Sequence, residues 1–318
     1  VVLESYRFLN HEREKREIVW EKETVQPFTE LILSWNGFRP KIGKWLIFVR
    51  LHKQKQKSPW LPLAEWGTAF QRTFQKTFKA SPPHSFAETD KDAATAKEGV
   101  CDGFSAKIVA VEGADLQNFD CFYASLFNAS LPLSTETISL RAVFLKNVPL
   151  QSQMTLPHPR HKDLCSPTST STAVNFLLGR KKTDPLRFAE SIHDAGFDIY
   201  GNWILNTAEA YCCLEGAYWT WVERLSDFRS LHAELVRGNP VVVSIKGEIR
   251  GAPKPYPYGH LICITGYDPK EDRVYCVDPA FSNDAETSAS YSLRDFCAAW
   301  GIRKNLSYRF EKKRSISS

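Results

Sequence analysis

Cys165 lies in the run Asp163-Leu164-Cys165-Ser166-Pro167-Thr168. Pro167 falls where a helix tolerates proline, in the first turn, and Val174, Leu177 and Leu178 supply an apolar face further on. The spacing therefore predicts a helix whose N-terminus carries the thiol. Unpaired N–H groups and the positive end of the helix dipole stabilise a thiolate and lower a thiol pKa that is about 8.5 when free. The same N–H groups can donate to an oxyanion as it develops on a carbonyl under attack. A cysteine at a helix start is also an ordinary structural residue, and its position alone leaves both roles open.

A nucleophilic thiol needs a base. The best placed one is in Tyr258-Gly259-His260-Leu261-Ile262-Cys263-Ile264-Thr265-Gly266-Tyr267-Asp268-Pro269, with Arg273-Val274-Tyr275-Cys276-Val277-Asp278-Pro279 following. Two strand-like runs flank the turn Asp268–Asp272, which reads as a hairpin. If Tyr267 pairs with Arg273, facing positions sum to about 540, the arithmetic of an antiparallel register. His260 then lies opposite Ala280 with Asp278 as diagonal neighbour on the same face. That would give nucleophile, base and orienting carboxylate. A slip of one residue puts the two on opposite faces, so a plain strand histidine beside an Asp-Pro turn remains the other outcome. In the same register Cys263 faces Val277 and not Cys276, which disfavours a disulfide between the two cysteines.

Other chemistry-bearing residues carry less. His158, His161 and Cys165 have loop spacing and no fourth ligand, a weak metal pattern, and no C-x2-C pair is present. Cys212-Cys213 falls within a helical stretch, where adjacent cysteines rarely bridge and packing is the plain account. Asp163 is a neighbouring charge to Cys165 that loop solvation explains equally well.

The elements that must position these residues change character along the chain. Up to about residue 145 the pattern is strand-like: Trp45, Ile47, Val49 and Leu51 alternate, as do Ile138, Leu140, Ala142 and Phe144, and Ile108–Val111 fill another strand. Asn36-Gly37 reads as a turn, and the polar run from Ser81-Pro82-Pro83 to Lys97 as an exposed loop. Trp20, Trp35, Trp45, Trp60 and Trp66 are either core or a face for stacking on sugar rings. Beyond residue 148, Thr183-Asp184-Pro185 starts a helix ending by Gly196, Asn206–Leu214 forms a second, and Ser226 caps a third that stops at Gly238-Asn239-Pro240. Val241–Ile245 is a buried-type strand. The fold class expected is α+β: a jelly-roll-like β-sandwich over 1–146, then a helix-and-strand domain over 147–318.

The 318 residues, 43% apolar and 24% charged, exclude bulk disorder, collagen and coiled coil. No apolar run approaches about 18 residues, so no membrane span is expected and the chain reads as soluble. A net charge of +5 is too mild for nucleic-acid binding. The local clusters Lys53/Lys55/Lys57 and Lys312/Lys313/Arg314 read as solvated loop and tail. The chain opens Val-Val-Leu-Glu, and a signal peptide removed upstream would leave no trace in it.

Leu164-Cys165-Ser166-Pro167-Thr168-Ser169, then Gly259-His260-Leu261-Ile262-Cys263-Ile264-Thr265-Gly266-Tyr267 and Val277-Asp278-Pro279, together resemble the C39-like branch of the papain-like cysteine peptidases over roughly 147–305. The resemblance implies a papain-like catalytic domain with Cys165 as nucleophile, His260 as base and acid, and Asp278 as orienter. Through Val148-Pro149-Leu150-Gln151-Ser152-Gln153 it implies Gln153, in preference to Gln151, as oxyanion donor. Cofactors and metals are not expected. It further implies a peptide or amide substrate, a thioester intermediate and a bacterial exported or cell-surface setting. For the first module, outside the resemblance, exposed tryptophans that stack on sugar rings would take a carbohydrate or cell-wall polymer as partner. Ser166 stands where the C39 family proper has Gly, so double-glycine leader processing is not implied. The rival expectations are an inactive papain-like domain in a binding or adhesion protein, and an isopeptidase, peptidoglycan amidase or acyltransferase on the same triad. Lys246–Tyr258, rich in Gly and Pro, is expected to rim the cleft or to be a plain surface loop.

Overall fold

The computed structural model describes residues 2–77, 87–97, 99–132, 140–180 and 183–314. The chain divides into two compact units, Val1–Pro132 with His193–Ala208, and Leu133–Ile192 with Glu209–Ser318. This differs from a single division at 146/147 in two places. Residues 140–146 group with the second unit, where Val143 and Phe144 pair with Tyr267 and Gly266. Residues 193–208 group with the first, where Gln71 donates to the His193 carbonyl and the buried Asp194 carboxylate accepts from the Thr73 N–H.

The first unit holds β1 (Val2–Leu9), β2 (Glu17–Lys22), β3 (Glu30–Gly37), β4 (Lys44–Lys53), β5 (Gln56–Lys57), β6 (Leu61–Gly67), β7 (Gln71–Thr73), β8 (Lys76–Thr77), β9 (Ala87–Asp90), β10 (Ala93–Ala96), β11 (Gly103–Val111) and β12 (Phe119–Phe127). One sheet runs β1-β12-β3-β10-β9-β8 and the other β2-β11-β4-β6-β7, with β5 beside β4. The alternation in β4 sets its faces: Trp45, Ile47, Val49 and Leu51 are fully buried while Leu46, Phe48 and Arg50 are half-buried. Rings from the two sheets meet edge-on, Trp35 with Trp66 at 5.5 Å and Trp45 with Phe119 at 5.6 Å. Trp35, Trp45 and Trp66 are therefore core, whereas Trp20 and Trp60 are half-buried. Strands β9 and β10 stand in the run expected to be loop; Ser81, Pro82 and Pro83, like Ile138, lie outside the described residues.

The second unit contains β13 (Val143–Phe144), α1 (Cys165–Leu178), α2 (Pro185–Ile192), part of α3 (Trp203–Cys213), β14 (Tyr218–Arg224), α4 (Phe228–Val236), β15 (Val241–Gly247), β16 (Tyr256–Asp268), β17 (Arg273–Val277), β18 (Ser288–Ser292), α5 (Leu293–Ile302) and β19 (Leu306–Lys312). Its sheet is ordered β14-β19-β15-β16-β17-β18, with β13 on β16. Val241, Val243 and Ile245 of β15 and Ile262 and Ile264 of β16 are buried with Leu231 and Leu235 of α4 and Phe296 and Trp300 of α5. Asp227, not Ser226, caps α4, its carboxylate accepting from the Ser230 N–H at 2.8 Å. Among the described residues no helix is long and apolar enough to cross a membrane.

Candidate active site

Cys165 is the first residue of α1, and Leu164 before it offers no side-chain cap. The first-turn N–H groups are therefore left for other partners, and Pro167 has none to give. The helix is buried around most of its girth from Ser166 to Asn175, and its buried hydroxyls, apart from that of Thr168, bond within the protein. Ser166 Oγ lies 2.9 Å from the Tyr308 hydroxyl, and Ser169 Oγ donates to the Leu261 carbonyl at 2.9 Å. The second bond ties the helix bearing the thiol to β16 one residue beyond His260, which fixes the spacing of the two side chains.

His260 is 4% exposed and Asp278 fully buried. His260 Nε2 is 2.8 Å from Asp278 Oδ1. A carboxylate only accepts, so Nε2 carries the proton and Nδ1 is left for the thiol, to which His260 is hydrogen-bonded. Burial pushes the Cys165 thiol up, but His260 and the N–H groups of Leu261 and Ser166 more than reverse this and bring its pKa below the ordinary value. Burial likewise opposes charge on His260, yet Asp278 and Cys165 raise its pKa to about 9. Asp278 is lowered in spite of burial, chiefly by His260. All three shifts favour a thiolate–imidazolium–carboxylate chain.

The hairpin reaches this arrangement by a route the simple register omits. Tyr267 pairs with Val274 and Asp268 with Arg273, one residue away from the expected Tyr267–Arg273 pairing. A bulge between Ile264 and Gly266 takes up the difference, so Cys263 faces Val277 and Ile264 faces Cys276. Beyond the bulge the register is the one that puts His260 and Asp278 on one face. The carbonyl of the extra residue, Thr265, accepts from the Leu145 N–H at 2.8 Å. At Gly266 a Cβ would come within 2.8 Å of the Val143 carbonyl, so β13 can pass only a glycine there. Gly259, next to His260, has φ +101°, a conformation that suits glycine.

Gln153 is buried close to these groups but engaged elsewhere. Its side-chain amide donates to the carbonyls of His161 and Lys162, at 3.0 and 2.8 Å, and its backbone N–H to Pro279 at 2.9 Å. It thereby braces the His161–Asp163 turn that leads into Cys165 and backs onto the residue after Asp278. Gln151 accepts from Ser171 and Thr172, which lie six and seven residues beyond Cys165 on α1, roughly 9–10 Å along the axis.

Two residues without a sequence signal complete the centre. The hydroxyls of Tyr256 and Tyr291 donate to Asp278 Oδ2 at 2.8 and 2.6 Å, and the Tyr256 ring stacks on the His260 ring at 4.1 Å and 17°. Neither shows in the pattern, because Tyr291 arrives through the β17–β18 pairing and Tyr256 through the Pro-rich approach to β16. Among the described residues no group of three or more His, Cys, Asp or Glu is placed to hold a metal ion. No disulfide joins any two of the eight cysteines.

A family model described as the Peptidase_C39 like family matches residues 145–308. No curated protein matches the chain. The matched span exceeds half of the chain and contains Cys165, His260 and Asp278. The chain accordingly belongs to the Peptidase_C39 like family, a family of peptidase type.

Proposed function

We propose that the second unit is an active cysteine hydrolase that cleaves an amide bond through a thioester on Cys165. The observation that carries this is the chain of contacts from the thiol at the start of α1 through His260 to Asp278. The Cys165 thiolate attacks the carbonyl carbon and the oxygen takes the charge. His260 gives its Nδ1 proton to the nitrogen as the C–N bond breaks, freeing the amine and leaving the acyl group on sulfur. Water then attacks the thioester, His260 takes its proton, and the C–S bond breaks to release the acid and restore the thiolate.

The oxyanion donor in this scheme is the Cys165 N–H at the uncapped helix start, and Gln153 acts by holding the turn that presents it. A helix N-terminal cysteine against a histidine on an antiparallel sheet supports the papain-like arrangement. The strand orders β1-β12-β3-β10 and β2-β11-β4-β6 support a jelly-roll-like sandwich for the first unit. Trp60 is then the residue for a polymer-binding role, and it carries Arg50 and Lys107 over its ring at 4.1 and 4.7 Å.

The deciding experiment is mass-spectrometric profiling of cleaved peptides and cell-wall fragments with wild type against Cys165→Ala. Fragments that vanish in the variant identify the substrate class. Identical profiles, together with no selective alkylation of Cys165, would leave a binding protein with an inactive domain.

A further inference from the structure

We propose that Tyr256 and Tyr291 are positioning residues for the reaction: their hydroxyls clamp Asp278 Oδ2, keeping the carboxylate ionised and turning Oδ1 alone toward His260. The inference rests on the hydrolase reading above and adds to it the device that keeps the third member charged.

Asp278 has no exposure to solvent. A buried carboxylate holds its charge only when enough donors replace water. Four do so here. Oδ1 accepts from His260 at 2.8 Å and from the Ala280 N–H at 2.9 Å; Oδ2 accepts from Tyr256 at 2.8 Å and Tyr291 at 2.6 Å. The phenols reach it from both sides, because Asp278 follows β17, the strand between β16 and β18, and Tyr256 and Tyr291 stand on those two neighbours. Tyr256 has a second contact that Tyr291 lacks, its ring lying flat on the imidazole, which restrains the ring plane and favours the imidazolium. The titratable groups around the carboxylate are His260 and Tyr256 on β16, Cys276 on β17 and Tyr291 on β18, with Cys165 of α1 beyond the imidazole.

Both oxygens of Asp278 are thus assigned. With one hydroxyl removed, the buried carboxyl takes up a proton at higher pH, and once neutral it no longer supports the imidazolium. The acid limb of Cys165 reactivity then rises. The alkaline limb, where Asp278 is ionised in every variant, moves less.

The test is the rate of Cys165 alkylation by iodoacetamide across pH 4–10 in the full chain, with thermal unfolding as a control, for Tyr291→Phe, Tyr256→Phe, Tyr256→Leu and Asp278→Asn. Each Phe variant keeps the ring and its packing. The acid limb is expected to move up by about one pH unit in each. Tyr256→Leu is expected to show the same move with a lower rate at the optimum, and neither Phe change is expected to move the limb further in an Asp278→Asn background. A uniform fall in rate with the limbs unmoved would show that the tyrosines only pack, and would overturn the proposal. If wild type shows no selective labelling, or Asp278→Asn leaves the profile unchanged, the hydrolase reading itself fails and takes this inference with it.

Discussion

Each unit buries a histidine in a chain of contacts with a nucleophile-type side chain and an acid, and the two groupings have opposite consequences. In the first unit His52 is 2% exposed, with Nε2 at 2.9 Å from Ser105 Oγ. Ser105 in turn donates to Glu21 at 3.1 Å, and Glu21 is also paired with Lys57. Burial lowers the pKa of His52, with only partial opposition from Glu21. In the second unit burial acts on His260 in the same direction, yet its pKa is raised to about 9 because Asp278 touches the ring directly. The difference lies in the order of the three groups. At His52 the hydroxyl stands between imidazole and carboxylate, so the acid acts on the ring only through space and too weakly to offset burial. At His260 the imidazole stands between thiol and carboxylate, the one order in which it can accept a proton from the nucleophile and be held charged. Ser105 is also fully buried, away from any substrate.

The largest effect that tests this contrast is expected from Asp278→Asn. An amide no longer stabilises the imidazolium, and turnover is expected to fall by about 10³–10⁴-fold with the fold retained by circular dichroism. The matching change Glu21→Gln is expected to leave turnover unaltered, and a loss below tenfold in Asp278→Asn would break the comparison. Next in size is His260→Ala. A thiol with a pKa near 8.5 is only about 0.3% ionised at pH 6, so the alkylation rate of Cys165 at that pH is expected to drop about 100-fold, to that of an ordinary exposed thiol; peptide mapping after dilute iodoacetamide measures it.

Stability against pH separates the two histidines by sign. His260 has a folded pKa above its unfolded value of about 6.5, so its contribution is complete below pH 6.5 and is lost as pH rises through about 9. His52 has a lowered folded pKa, so its contribution is present above pH 6.5 and is lost as pH falls below that value. Urea unfolding is expected to show an alkaline loss, opposed in part by the lowered thiol of Cys165, that disappears in His260→Gln, and an acid loss that shrinks in His52→Gln. The smallest effect is expected from Ser105→Ala, which removes hydrogen bonds at about 0.5–1.5 kcal/mol each and leaves Cys165 labelling untouched.

The parts of the centre legible in the sequence were those fixed by local chemistry. Pro167 two residues after Cys165 marks a helix start, and the Asp268–Asp272 turn marks a hairpin, both short-range signals. What the sequence concealed depends on contacts distant along the chain. The two tyrosines reach Asp278 through strand neighbours. The Gln153 amide is drawn to carbonyls eight and nine residues later, a choice no spacing rule encodes. Asp227 outcompetes Ser226 for the α4 cap because the two candidates are adjacent and only backbone geometry selects between them. In the first unit the alternation in β4 told which residues face inward, and the buried Trp35, Trp45 and Trp66 show why tryptophan type alone says nothing about exposure. Residues 193–208 carry helix signals but group with the first unit, since Asp194 finds its partners at Thr73 and Asn202.

The bulge at Thr265 gives the hairpin a spare residue. Gly266 already faces Tyr275 and Ile264 already faces Cys276, so the chain could lose Thr265 and keep every facing pair, forfeiting only the bend and the bond from Leu145. A residue lost elsewhere within the paired strands β16 and β17 has no such slack and shifts one strand past the other, exchanging the faces of all residues beyond it. Within the paired strands tolerance to shortening is thus concentrated at Thr265, where the length of the ladder can change while its chemistry stays in step.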